Sequence, residues 1–428
     1  MPAERTLWPS AFDPPRSDAF ARLFLSTGFV EDPYPLYESL RDSGAVVRVD
    51  RRTWVLTGYE DGARVLRDPR FVNDVEAVAV AKGGPDWAAH PAIVMLTKML
   101  LMANQPRHAR LRQRVNWSFA ANRVTALSPV VDTAVDALLT DLLEVGEADF
   151  VTDFADVLPM RVIHHLLGID EHAGMDLREP TRTFNTLFER GVTADQLRAA
   201  DLAVCAITDY VTDLLAEKRR RPGPDLASDL VRAADSGELA DEELVPLVFQ
   251  IYNASYQTTM SLLGNGLHLL LRHPWQFRRL RRDPSLAASA VAEFLRYDPP
   301  VQSTGRHAAV DLDLGGERIS RGDIAVVVIG AANRDPRRYP DPHGLDIGRS
   351  GPGSLSFGYG PHYCLGAAIA TMQGVAAFTA LARHDVHVEP AGRPLRLAGS
   401  NMRGLASLPV SVSHRLAGAG PVPVEDRA

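Results

Sequence analysis

Between Gly44 and Gly58 the chain reads Ala-Val-Val-Arg-Val-Asp and then Arg-Arg-Thr-Trp-Val-Leu-Thr, two β-rich runs around a polar turn, which predicts a hairpin. From Pro106 to Leu271 the period becomes helical, with apolar residues three and four apart over Val130–Leu143 and Ala199–Lys218. Asp241-Glu242-Glu243 supplies a cap and an acidic first turn to an apolar segment that continues to Leu271, where His273-Pro274 stops it. A helix of roughly 30 residues spans ~45 Å, enough to cross a whole domain. Pro246 lies past its first turn and predicts a local distortion. Asp283-Pro284-Ser285 opens another helix, which Tyr297-Asp298-Pro299-Pro300 ends. Ala308–Gly330 alternates around Gly315-Gly316 and then turns apolar, predicting a second hairpin and a buried strand. A last helix is expected over Ala367–Ala382. The architecture expected is mainly α with small β-sheets.

Composition changes this picture little. With 428 residues, 46% hydrophobic and 23% charged, and no biased linker in the middle, one large domain is expected over residues 17–413. A flexible segment is expected over 1–16 and a disordered tail over 414–428. A net charge of −7 without long like-charge blocks argues against a general nucleic-acid surface. Met1–Pro15 has no secretory pattern, and the apolar stretch Ile93–Ala103 is broken by Lys98, so no membrane span and a cytoplasmic location are expected. Two cysteines, Cys205 and Cys364, exclude a disulfide framework and a four-cysteine zinc site. Cys205 sits among Leu202, Val204 and Ile207 and is expected to be buried and inert.

Cys364 stands in a different setting, Phe357-Gly358-Tyr359-Gly360-Pro361-His362-Tyr363-Cys364-Leu365-Gly366, just ahead of a helix. Two glycines and a proline permit a tight loop, and the helix N-terminus behind it places N–H groups and a positive dipole near the sulfur, which is expected to lower the thiol pKa. A thiolate on an open loop is a good axial ligand for haem iron. This run resembles the cytochrome P450 family signature Phe-Gly-x-Gly-x-His-x-Cys-x-Gly at every fixed position. Glu293-Phe294-Leu295-Arg296 resembles the family's Glu-x-x-Arg element, and the three-residue spacing puts both charges on one helix face. Pro106–Arg112 resembles the helix that meets the haem propionates. The resemblance runs from about Asp32 to Val410. It implies the P450 fold, with haem b between the long oxygen-side helix and the cysteine-loop helix, and Cys364 as the metal ligand. His108, Arg112, Arg306 and His362 would meet the propionates, with Phe357 and Gly366 also against the cofactor.

The long helix departs from the family pattern Ala-Gly-x-Asp/Glu-Thr-Thr, reading Ala254-Ser255-Tyr256-Gln257-Thr258-Thr259. The resemblance makes Thr258, Gln257 and Ser255 catalytic candidates beside Cys364, yet an amide cannot exchange protons as a carboxylate does. Pro342-His343-Gly344-Leu345 lacks the arginine that usually joins Glu293 and Arg296; Arg349 or Arg338 is the candidate replacement. The substrate walls implied are Phe71–Met99, Phe184–Thr193, the long helix, Val301–Thr304 and Ser400–Leu405, with Ile93, Asn253, Tyr256, Gln302, Thr304 and Met402 as contacts. Their mixed polarity suits a mid-sized, partly polar substrate, such as a secondary-metabolite intermediate, free or tethered to a carrier protein. Hydroxylation or epoxidation is the expected reaction; oxidative coupling, cyclisation or desaturation is the alternative, and a haem sensor without turnover a further reading. No flavin or iron–sulfur segment is visible, so electrons are expected from NAD(P)H through ferredoxin and ferredoxin reductase. Arg107, Arg110, Arg112 and Arg114 would form a basic rim that steers the acidic donor.

Overall fold

The computed structural model describes residues 31–170, 177–189, 191–383 and 386–414. The segment 1–16 and the tail beyond 414 lie outside them. The helices that frame the site are α1 Tyr34–Asp42, α2 Val75–Gly83, α3 Arg107–Asn116, α4 Ser128–Val145, α5 Val157–Leu167, α6 Arg178–Asn185, α7 Ala194–Arg220, α8 Asp241–Arg272, α9 Ala287–Tyr297 and α10 Ala367–Arg383. The strands are β1 Val46–Arg48, β2 Thr53–Leu56, β3 Phe71–Val72, β4 Glu147–Asp149, β5 Ser303–Ala308, β6 Leu312–Leu314, β7 Glu317–Ile319, β8 Ile324–Val328, β9 Val386–Pro390, β10 Leu395–Arg396, β11 Leu405–Ser407 and β12 Pro409–His414.

Both expected hairpins form, β1–β2 with Val47 opposite Val55, and β6–β7 turning through Gly315 and Gly316 at φ +60° and +85°. The main sheet has the order β1-β2-β8-β5-β3, with β2 and β8 parallel. Its two central strands are buried on both faces, which is why they read as continuous apolar runs rather than alternating ones. Trp54, Leu56, Ala325 and Val327 enter one core, while Val55, Val326 and Val328 enter another with Tyr34 and Tyr37 of α1. A second sheet, β4-β12-β9, closes over α4.

The long helix α8 is a single element through Pro246, so the distortion expected there does not break it. It packs against α5, α7, α9 and α10 and is buried on nearly every face, consistent with its apolar composition all round. At Gly266 a side chain would overlap Phe378 and Phe294, whose rings lie 5.0 Å apart, so glycine sets the close approach of α8 to α9 and α10. Among the described residues no helix is long and apolar enough to cross a membrane.

Two local expectations are corrected. Cys205 is exposed, because α7 buries the stripe Leu197, Ala200, Val204, Ile207, Val211 and Cys205 lies a step around from it. Ile93 is fully buried in the core rather than on an open wall.

Candidate functional site

Glycine sets the shape of the cysteine loop. Gly358 and Gly360 have φ of +73° and +71°, which side-chain-bearing residues avoid, and a Cβ on Gly360 would run into the backbone of Leu66 and Arg67. Cys364 N donates to Phe357 O at 2.8 Å, closing the loop immediately before α10. The sulfur accepts from the N–H groups of Gly366 and Ala367, and Arg112 acts on it from α3. The expected fall in its pKa is nevertheless corrected: burial pushes the Cys364 thiol up and outweighs these three favourable contributions. The protein alone therefore favours the neutral thiol. A metal cation held by Cys364 would supply the charge that makes the thiolate stable.

Cys364 is deep in the fold and yet solvent-accessible. So is Ala254 in the middle of α8, with Thr258 one turn on half-exposed, while Tyr252, Asn253, Tyr256, Gln257 and Thr259 around them are buried. An accessible pair four residues apart on an otherwise buried helix marks the wall of a cleft. Gly366 also faces open space, since a Cβ there would meet nothing within 4 Å.

The propionate candidates form a cluster of positive and potentially positive groups. His108 is 3% exposed and its Nε2 is buried without a hydrogen-bond partner. The rings of His108 and His362 lie 4.1 Å apart. Buried Arg306 donates to two neutral oxygens, Thr304 Oγ1 at 3.2 Å and Gly305 O at 2.7 Å, and Arg112 Nε donates to Asn116 Oδ1 at 3.2 Å. Burial, then Arg306, His108 and Arg112, push His362 down to about 3. Burial lowers Arg306 to about 10, and burial followed by Arg112 and Arg306 lowers His108. Buried cationic donors facing one another are costly without an anion between them. The orphaned His108 Nε2, the unpaired Arg306 and the open space at Gly366 together fit a flat group bearing carboxylates, as haem does.

On the oxygen side, Thr258 Oγ1 donates to Ala254 O at 2.7 Å and Ser255 Oγ to Ile251 O at 2.7 Å, each bonding back one turn. Thr258 keeps its acceptor lone pairs toward the cleft. Gln257 Oε1 accepts from Asn185 Nδ2 at 2.6 Å, a partner that α6 supplies. Gln257 keeps its NH₂ as a donor and one lone pair of Oε1 as an acceptor for another partner.

The substrate-contact candidates divide. Asn253 is buried, while Thr304 and Met402 are half-buried. Tyr256 is fully buried and its hydroxyl donates to Asp156, which also binds Arg178 and Arg182. Gln302 is spent on the fold, its Oε1 accepting from Tyr37 at 2.9 Å and its Nε2 donating to Pro299 O at 2.7 Å. Tyr256, Gln302 and Ile93 therefore offer no accessible surface to a substrate in this conformation.

Arg349 fills the gap left by the missing arginine. Its Nε donates to Glu293 Oε1 at 3.1 Å, while Arg296 binds the same carboxylate at 2.7 and 2.8 Å. Arg338 instead pairs with Glu60 and lies over the Tyr59 ring.

The basic rim is partly neutralised from within. Arg107 and Arg110 both bind Glu243 at the start of α8, at 3.2 and 2.7 Å, and Arg114 binds Glu238. Sequence showed the acids only as a helix cap and a turn, with nothing to mark them as partners of α3. The Arg110 hydrogen bond holds the Glu243 carboxyl down at about 2, from an ordinary 4.5. A carboxyl depressed by folding contributes its full stability above the ordinary value and loses it as pH falls through the native one, so this contribution disappears between pH 4.5 and about 2. Glu243→Gln should flatten stability against pH in that window, measured by urea denaturation; parent and variant curves of equal slope would refute the pairing.

The Cytochrome P450 family model matches residues 50–414. The cytochrome P450 monooxygenase PikC of Streptomyces venezuelae is 36% identical over 419 residues, covering 95% of this chain and 96% of that protein. The crystal structure of CalO2 superposes with a TM-score of 0.84 at 36% identity, covering 91% of this chain and 98% of that one. P450BioI, in complex with an acyl carrier protein ligated to hexadec-9Z-enoic acid, gives a TM-score of 0.84 at 29% identity, with coverages of 90% and 100%.

Proposed function

From a chain that belongs to the cytochrome P450 family, we propose a haem-thiolate monooxygenase that hydroxylates or epoxidises a mid-sized, partly polar intermediate of secondary metabolism in the cytoplasm. The observation that carries this reading is the accessibility of Cys364 and, on the mostly buried α8, of Ala254 and Thr258, together with buried Arg306, half-buried Arg112 and the partnerless His108 Nε2 among the described residues. Haem bound there supplies iron for O₂ activation. Cys364 is its ligand; His108, Arg112, Arg306 and His362 are donors for its carboxylates, and Phe357 and Gly366 border it. Thr258 offers a hydroxyl whose proton is parked on Ala254 O and whose lone pairs can accept from water. Gln257 orients such a water but cannot give up a proton at neutral pH, so the acid function falls to a water chain or to the substrate. That departure supports a second reading, oxidative coupling, cyclisation or desaturation without net oxygen insertion, and does not choose among them.

One relative, PksS of Bacillus subtilis, is a polyketide biosynthesis cytochrome P450, and one structural neighbour is in complex with a ligated acyl carrier protein, which supports free or tethered intermediates as the substrate class. Electrons come from NAD(P)H through a ferredoxin and its reductase; four guanidiniums of α3 against two carboxylates leave this face positive for an acidic donor.

The test is a spectral-shift screen of free and carrier-tethered intermediates on purified ferric protein, followed by mass spectrometry of the reconstituted reaction. A panel without shifts and without product sinks the reading. With a substrate in hand, Thr258→Ala should lower coupled product formation on the order of 10²-fold, with reduced oxygen escaping as peroxide. Full, well-coupled turnover of the variant removes Thr258 from proton delivery.

A further inference from the structure

Glu189 follows the short turn Thr186–Phe188 at the end of α6, and its carboxylate reaches a turn 211 residues further along the chain. Oε2 accepts from Ser400 N at 2.6 Å, from Asn401 N at 2.9 Å and from Ser400 Oγ at 3.2 Å, and Oε1 accepts from Met402 N at 3.1 Å. Three successive backbone N–H groups converging on one carboxylate form a nest, and bonds to an ionised acceptor are about twice as strong as neutral ones. Gly399, at φ +130°, opens the way in: a Cβ there would meet both carboxylate oxygens.

The far side of the same turn is held by the main sheet. Asn401 Oδ1 accepts from Ser303 N at 3.2 Å and Ser303 Oγ at 2.8 Å, Asn401 O accepts from Gln302 N at 2.9 Å, and Met402 bridges to Val301. Glu189 also offers its own carbonyl to Lys82 Nζ of α2 at 3.3 Å. One residue therefore joins three segments that wall the substrate chamber, two of them through its side chain and backbone at once.

We propose that Glu189 is a positioning residue for the substrate chamber: its carboxylate clamps turn 399–402, and Met402 with it, against the end of α6, and ligand passage between these walls requires the clamp to release. The inference rests on the reading of these segments as substrate walls. A carboxylate is needed at 189 because all four groups it meets are donors. An amide of the same size turns an NH₂ toward one of them and surrenders the charge.

Hydrogen exchange by mass spectrometry on the holoenzyme reads the clamp directly. In Glu189→Gln, exchange of the amides at 400–402 should accelerate roughly tenfold or more, the scale of losing one hydrogen bond to a charged group, while α8 stays at the parent rate. Stopped-flow binding of 4-phenylimidazole should show association and dissociation both faster by a similar factor, with Kd changed by less than about threefold, since only the path has opened. Glu189→Asp keeps the charge and loses the reach, so it must show the same acceleration; a role for charge alone leaves it at the parent rate. Exchange at 400–402 and azole rates within about twofold of the parent in both variants overturn the proposal. Neither measurement uses the substrate. A silent substrate screen beside fast exchange therefore sinks the function alone, and slow exchange beside a productive screen sinks the clamp alone.

Discussion

Cys364→Ser abolishes the red-displaced absorbance of the reduced carbonyl complex and with it monooxygenase turnover, while leaving the fold intact. The argument is electrostatic. The loop gives the sulfur two N–H donors, Gly366 and Ala367, and a nearby Arg112, but burial outweighs them and keeps the free thiol protonated. Haem iron bound there would stabilise the thiolate, and a thiolate ligand would supply the electron donation that displaces the absorbance. A serine hydroxyl is far less acidic and a much poorer donor. Its substitution changes one atom on an accessible wall, so denaturation of the apoprotein should move by less than about 0.5 kcal/mol. Absorbance spectra of the reduced, carbonylated variant check the first part. A retained red-displaced band assigns the ligand elsewhere and removes the central claim about this chain.

Breaking the Glu293–Arg296 pair should have the largest effect on stability. Arg296 is 3% exposed and Glu293 2%. The carboxylate takes Arg296 Nε and Nη2, Arg349 Nε and the Asp346 N–H, and the same guanidinium donates to the carbonyls of Asn333, Pro342 and Gly344, between 2.9 and 3.1 Å. Arg296→Leu strands the carbonyls of Asn333 and Pro342, leaves Gly344 O to Arg349 alone and leaves the carboxylate half-paired, and Glu293→Gln leaves one buried and one half-buried guanidinium facing a neutral group. Removing one partner of a buried pair costs about 3–5 kcal/mol. Each single variant should lose that much in urea denaturation, and the double variant much less than the sum, because the two act in one network. The segment these bonds brace, residues 333–346, leads into the cysteine loop: Asn333 Oδ1 accepts from Leu355 N at 2.8 Å. Haem retention should therefore fall with stability. Additive losses would mean the two residues act separately.

Arg349→Ala distinguishes the two arginines, since Arg349 is the more accessible and reaches Glu293 through one bond. Its loss should be felt less than that of Arg296.

What the sequence determined by itself was everything carried by near neighbours along the chain. The period of α8, the two hairpins, the glycines of the cysteine loop and the three-residue spacing of Glu293 and Arg296 depend on φ/ψ preferences and on which residues share a face, and both are local. Those features sufficed for the family and named Cys364 and the basic groups around it as candidates. Tertiary structure decided the partners. Arg349 lies 56 residues from Glu293, Glu243 133 residues from Arg110, Asn185 72 residues from Gln257 and Ser400 211 residues from Glu189. An acid three residues from an arginine declares itself, whereas one 133 residues away looks like any surface charge until helices pack and bring it near. The same holds for burial, which pushes the Cys364 thiol up where the loop alone suggested down, and which encloses Tyr256, Gln302 and Ile93. Desolvation is a property of all the atoms surrounding a group, and a sequence names only the two on either side.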